Sequence, residues 1–111
     1  MTYEIRTIRM FDRELKALSK KYPSIKDDVE NLKTSLKANP KAGTEITADV
    51  YKIRLAVKSK GRGKSGGARV IYFNLFAQKV NNNEIVLISI YDKSEHSTIT
   101  DKQILQALKE V

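Results

Sequence analysis

The chain has no cysteine, one histidine, two prolines and no apolar run long enough to span a membrane. Without cysteine there is no disulfide, no thiolate nucleophile and no Cys-ligated zinc, a composition that fits a reducing compartment. A single histidine, His96, excludes a His-ligated metal site and an acid and base pair of two histidines. Alone in the polar segment DKSEHS, it is read as a surface residue, with proton donation as its alternative role. The start, MTYEIRTIRMF, lacks the basic lead, apolar core and small-residue cleavage site of a secretory signal. These absences together lead us to expect a cytoplasmic protein. Acidic residues are absent from one long stretch, with none between Asp49 and Tyr72.

That stretch, VYKIRLAVKSKGRGKSGGARVIY, holds Lys52, Arg54, Lys58, Lys60, Arg62, Lys64 and Arg69. The protein has 21 basic and 13 acidic residues, so setting these seven aside leaves 14 against 13. Nearly all of the net charge of +8 is therefore concentrated in one segment. Such a field on an otherwise balanced domain marks a polyanion binder, nucleic acid being the commonest partner. Protection of an exposed sheet edge is the competing explanation, but it requires one or two lysines rather than seven charges.

At 111 residues the chain is sized for a single domain over 1–111. Thr2 to Arg6 alternates like a half-buried strand. From Met10, Phe11, Leu15, Leu18 and Tyr22 recur at helical spacing until Pro23. Ser24, with Asp27 in a capping-box arrangement, starts a second helix striped by Ile25, Val29, Leu32 and Leu36 and stopped by Asn39-Pro40. Lys41 to Asp49, with Gly43 and few large apolar residues, is read as the crossing from the helices back to the sheet and is not counted among the strands. In the basic stretch, Tyr51, Ile53, Leu55 and Val57 share one strand face and Lys52, Arg54 and Lys58 the other. Lys60 to Gly67, with four glycines, is expected to be irregular, and Ala68 to Phe76 to return as a strand with Arg69 at its base. Asn81 to Asn83 signals a turn, IVLISIY a central strand covered on both faces, and Thr100 with Gln103 a capping box for a last helix striped by Ile104, Leu108 and Val111. The expected domain is α+β, in the order βααβββα, with a mainly antiparallel sheet packed against an N-terminal helical hairpin and a C-terminal helix.

Gly63-Lys64-Ser65 echoes a phosphate-binding P-loop, but Lys58 occupies the position of its first glycine and a strand follows instead of a helix. Asp27, Asp28 and Glu30 cluster on a helix flank and are read as solvated surface, not as metal ligands. The cations themselves offer a chemistry. RNA can be cut by its own 2′-hydroxyl, which leaves the protein to remove a proton, stabilise the crowded phosphate and protonate the departing 5′-oxygen. Arginine matches phosphate oxygens with a bidentate fork, and an ammonium crowded by like charges gives up its proton more readily. Lys52 beside Arg54, with Arg69 on the paired strand, is where that crowding is expected. A surface that only binds phosphates satisfies the same residues.

The segments Val50-Tyr51-Lys52-Ile53-Arg54, the glycine and lysine rich loop running into Ala68-Arg69-Val70-Ile71-Tyr72, and Ile90-Tyr91-Asp92-Lys93-Ser94-Glu95 resemble the RelE/ParE superfamily of type II toxins. Phe11 with the Leu15/Leu18 helix and Asn39-Pro40 with Gly43 extend the likeness over essentially the whole chain, and RelE- and HigB-like toxins are the nearest group. The resemblance implies a sheet flanked by helices, a cognate antitoxin protein as partner, and cleavage of mRNA in the ribosomal A site without metal or cofactor. It implies Lys52 and Arg54 as the basic pair of the central strand, Arg69 as the phosphate-stabilising arginine and Lys93 as the basic residue after the last strand; Lys58, Lys60, Arg62 and Lys64 are expected, from the charge of the stretch, to bind nucleic acid. RelE-like toxins often carry a tyrosine further along, where this chain has Thr98 and Ile99. Tyr91 or His96 takes its place, or the cations carry the reaction. A ParE-like inhibitor of DNA gyrase without catalytic residues, and an inactive nucleic-acid-binding module, are the alternatives.

Overall fold

The computed structural model describes residues 3–61, 63–75, 84–94 and 100–111. Strand β1 (Glu4–Thr7) leads into helices α1 (Arg9–Lys21) and α2 (Ile25–Ala38), followed by β2 (Thr44–Thr47) and β3 (Val50–Leu55). A 3₁₀ turn (Lys58–Lys60) and a single helical turn, α3 (Gly63–Gly66), lead to β4 (Ala68–Asn74), then β5 (Glu84–Asp92) and α4 (Asp101–Leu108). The sheet runs β1-β5-β4-β3-β2, antiparallel throughout except for the parallel pairing of β1 with β5. The fold is α+β, with the expected mainly antiparallel sheet and helical hairpin. The turn expected at Asn81 to Asn83 and the end of the Ala68 to Phe76 strand reach outside the described residues.

Four expectations are corrected. Lys41 to Asp49 contains a strand, β2, whose TEIT sequence offers only Ile46 as an apolar signal. It forms because Ala48 and Asp49 turn tightly into β3, with Asp49 at φ 62, a left-handed conformation that aspartate tolerates. The Asp49 N–H donates to the Glu45 carboxylate at 2.9 Å. Lys60 to Gly67 is not irregular but holds the end of the 3₁₀ turn and α3. Finally, Asp28 is buried, and Ser24 does not cap α2 through its side chain. The Ser24 hydroxyl donates to Asp28 at 2.7 Å, and Asp28 also accepts the Lys58 backbone N–H at 3.2 Å. Ser24 and Ser59 exchange backbone-to-hydroxyl bonds of 3.2 and 2.9 Å. The start of α2 is thereby fastened to the basic loop. An internal carboxylate with two donors costs little of the desolvation that an unpaired one would incur.

The core lies where β4 and β5, buried along nearly their whole length, meet the helices. Phe11, Ile25, Val29 and Leu36 supply its helical side. Leu18, Tyr22 and Ile25 line a crevice with Val57, Ala68 and Asp92, so the hairpin packs on the sheet face bearing Ala68 and Asp92. Tyr51 and Tyr72, opposite each other in the β3/β4 register, stack with centroids 5.3 Å apart. The buried Tyr72 hydroxyl donates to the Ala42 carbonyl at 2.5 Å, and Asn74 Nδ2 donates to Pro40 at 2.9 Å. These bonds pin the exit of α2 to β4. Helix α4 opens with the expected capping box, Thr100 accepting from Gln103 N at 3.1 Å and Gln103 Oε1 accepting from Thr100 N at 2.9 Å. Ile104 and Ala107 are its buried residues.

Two glycines carry close backbone contacts. A Cβ on Gly67 would collide with the Leu55 carbonyl, and one on Gly43, at φ +94, with that of Lys52. Gly67→Ala and Gly43→Ala are each expected to destabilise the protein by about 1–3 kcal/mol, since the obstruction is backbone rather than a movable side chain. Urea unfolding midpoints equal to that of the native chain would contradict this close packing.

Candidate functional site

Arg54, Arg69 and Tyr91 are successive partners across β3, β4 and β5. Opposed residues of neighbouring strands project from the same face, so these three form one row, and Lys52, two residues from Arg54, shares their face. The adjacent row, Leu55, Ala68 and Asp92, projects toward the helical hairpin. One-residue alternation thus separates a basic face from a core face.

The basic face opens into a concavity of about 660 Å³. Ala42, Gly43, Thr44 and Ile53 form part of its wall, and Lys52, Arg54, Lys64, Arg69 and Lys93 complete it. None of its lining residues is acidic. The carboxylate that precedes Lys93, Asp92, points to the opposite face and is neutralised there by Lys60. Arg54, Lys64 and Lys93 are exposed, Lys52 is half-buried, and Arg69 and Tyr91 are each 7% exposed.

Arg69 is inward because its guanidinium holds the loop. Nη1 donates to the Lys64 and Ala68 carbonyls, both at 3.1 Å, and Nη2 to Ser65 at 3.2 Å. The carbonyls at the end of α3, which a one-turn helix leaves unsatisfied, find their donors here. Nε–H and one Nη2–H remain. The arginine expected to stabilise phosphate therefore has a first task as a brace for the loop.

Lys60, expected to bind nucleic acid, is turned inward, and that expectation is corrected. Its ammonium pairs with Asp92 Oδ1, with side-chain exposures of 9% and 1%, and reaches the Gly67 carbonyl at 3.4 Å and Ser94 Oγ at 3.3 Å. It also lies 5.6 Å from the centroid of the Tyr22 ring. The second Asp92 oxygen, Oδ2, accepts the Tyr22 hydroxyl at 2.6 Å, and Ser94 donates its N–H and O–H to Oδ1 at 3.0 and 2.8 Å. Burial alone would raise the Asp92 carboxyl, but the bonds from Lys60, Tyr22 and Ser94 outweigh it and hold the group well below the usual carboxylate range. The hydrogen bond to Asp92 pushes the Tyr22 phenol up. Lys93 N donates to the Gly67 carbonyl at 3.2 Å, so the end of β5 and the loop share backbone bonds as well.

Lys58 lies on the 3₁₀ turn beyond β3, exposed but apart from the lining of the concavity, and does not extend the Lys52 and Arg54 strand face as expected. Arg62, His96, Thr98 and Ile99 lie outside the described residues. No pattern in the sequence points to the brace of Tyr22, Lys60 and Asp92. Asp92 ends an apolar strand and Tyr22 reads as the end of an apolar stripe, so nothing local announces a contact that spans 70 residues of chain.

No protein-family model matches the chain. Among solved structures, the fold matches that of a double arginine-to-alanine variant of the E. coli toxin RelE in the free state, with a TM-score of 0.59. The match covers 100% of this chain and 99% of that one at 19% identity. The chain thus has the fold of RelE over its full length, as its sequence resemblance implies.

The buried pair predicts a pH dependence. Because the folded Asp92 carboxyl is held below its ordinary value of 3.8, its contribution is fully present above that pH and is lost as pH falls below it. Asp92→Ala, which leaves the Lys60 ammonium buried without its partner, should cost about 3–5 kcal/mol at neutral pH. The variant should also show less of the acid sensitivity seen in melting temperatures measured from pH 7 down to about pH 2. Parallel melting curves for the two proteins across that range would contradict the assignment.

Proposed function

We propose that this protein is the toxin of a type II toxin–antitoxin pair and acts as a ribosome-dependent, metal-independent mRNA endonuclease. The observation that carries the proposal is the concavity walled by Lys52, Arg54, Lys64, Arg69 and Lys93 with no acidic residue in its lining. A phosphodiester is the ligand whose charge answers that wall. The shared fold of RelE adds support, although fold alone does not fix activity.

The substrate's 2′-hydroxyl attacks the adjacent phosphorus, and the bond to the 5′-oxygen of the next nucleotide breaks, leaving a 2′,3′-cyclic phosphate and a free 5′-hydroxyl. We assign Lys52 to accept the 2′-hydroxyl proton, since it alone of the lining lysines is half-buried and stands on the rigid strand β3. Arg54, exposed beside it, matches the non-bridging oxygens as negative charge builds. Arg69 holds the loop and directs its remaining donors toward the same phosphate. Protonation of the departing 5′-oxygen is assigned to Tyr91, in the same row as Arg54 and Arg69, with Lys93 at the rim as the second donor. Lys64 and Lys58 hold flanking phosphates. The ribosome supplies the positioning of the message, a large share of catalysis when the reacting groups come from a weakly bound strand. The antitoxin covers part of the Lys52 to Arg69 face with an acidic or amphipathic segment.

Added to a cell-free translation reaction, the protein should generate new mRNA 5′ ends confined to translated message. Lys52→Ala and Arg54→Ala should each reduce cleavage by roughly 10²- to 10⁴-fold without loss of fold. Intact message accompanied by inhibited gyrase supercoiling would replace the nuclease with a gyrase inhibitor.

A further inference from the structure

Outside the basic stretch the charge is nearly balanced in number, yet α1 segregates it. Arg9, Arg13, Lys16 and Lys20 follow one another at spacings of 4, 3 and 4 residues and are all exposed. At about 100° per residue they fall on one line along the helix, roughly half a turn from the inward stripe of Phe11, Leu15 and Leu18. The line is about 16 Å long. None of the four cations meets a carboxylate among the described residues. The two acids of α1 are engaged elsewhere: Asp12 accepts the Thr7 hydroxyl at 2.7 Å, and Glu14 accepts Ser89 Oγ at 2.8 Å and Ile90 N at 3.2 Å. Asp12 stands four residues before Lys16, the spacing of a helical ion pair, yet its carboxylate is taken by Thr7 and forms no ion pair with Lys16. This helix instead commits Glu14 to the sheet and the exposed Asp12 to the Thr7 hydroxyl, and leaves the four cations without an ion pair among the described residues.

The row faces away from the concavity. Helix α1 packs on the sheet face that carries Ala68 and Asp92, whereas Arg54 and Arg69 project from the other, and the domain is 22 Å across its shortest dimension. We infer that the Arg9, Arg13, Lys16 and Lys20 row is a second phosphate-backbone surface, which grips a structured RNA segment while the concavity holds another strand. Taking RNA as the partner rests on the nuclease reading above, but binding through α1 requires no cleavage. The occupant is an RNA backbone rather than an acidic protein because, among the described residues, no large apolar side chain is exposed beside the row, Ala17 being its small apolar neighbour, and a protein segment docking on a helix brings apolar anchors that need such a surface.

The test measures the affinity of a labelled double-helical RNA hairpin at several salt concentrations. Removing one cation that neutralises a phosphate should lower the slope of log K against log salt by about 0.7–0.9. The variant R9Q/R13Q/K16Q/K20Q should therefore lower the slope by about 3, and each single glutamine substitution by about 0.7–0.9. K26Q/K37Q/K102Q/K109Q removes the same charge from scattered exposed positions and should change the slope by less than one phosphate's share. Equal slopes for the two quadruple variants would overturn the inference, because net charge and not the row would then govern binding. An unchanged slope in the α1 variant, with weakened affinity for polyglutamate, would overturn it in favour of an acidic protein. Normal RNA binding through α1 in a protein that cuts no message would sink the nuclease reading alone.

Discussion

The buried pair of Lys60 and Asp92 is the interaction on which the arrangement of the site depends. It joins the loop after β3, the end of β5 and, through Tyr22, the end of α1. A glycine-rich segment carrying this much positive charge would, left to itself, spread out in solvent. Here one of its own cations is withdrawn into the protein and held by a carboxylate, a carbonyl and a hydroxyl. The pair has the additional donors that a buried ion pair needs to offset desolvation. What remains in the concavity is a set of cations, while Asp92, the acid that precedes Lys93, is already neutralised on the far side of the sheet.

A second brace works from the other end of the loop. Arg69 gives three of its donors to carbonyls of Lys64, Ser65 and Ala68, which fixes α3 and with it the position of Lys64. Ser24 and Asp28 hold the 3₁₀ turn against α2. The basic loop is therefore supported on three sides by side-chain to backbone bonds. Rigid support of this kind limits the ordering cost of binding a flexible strand. The catalytic assignment relies on it, because Lys52 and Arg54 stand on a strand tied to that loop.

Much of this is legible in the sequence where it depends on local period. The alternation of Tyr51, Ile53 and Leu55 with Lys52 and Arg54 shows which face is basic, and the stripes of α1 and α2 and the Thr100 capping box appear as expected. Strand β2 is hidden because a four-residue edge strand with one apolar residue has no period to detect. Lys60 and Asp28 are hidden for a different reason. Composition marks a lysine in a basic loop as solvated and an aspartate on a helix flank as surface, and only a partner distant in sequence turns either one inward. The ion pair and the Asp28 bond to Lys58 span 32 and 30 residues, beyond any window of local pattern. The basic row of α1 is masked in the sequence by the acids interleaved with it, whose hydrogen bonds to Thr7 and Ser89 no local pattern announces.

The central claim is that the substrate's own 2′-hydroxyl is the nucleophile and the protein's cations serve it. It is tested most directly by single-turnover reaction of the protein with ribosomes programmed with two messages that differ only by a 2′-deoxy substitution at the cleaved nucleotide. The account predicts cleavage of the ribose message to a 2′,3′-cyclic phosphate and a 5′-hydroxyl, and no cleavage of the deoxy message at that position. Equal cleavage of both, or a 5′-phosphate product, would contradict it.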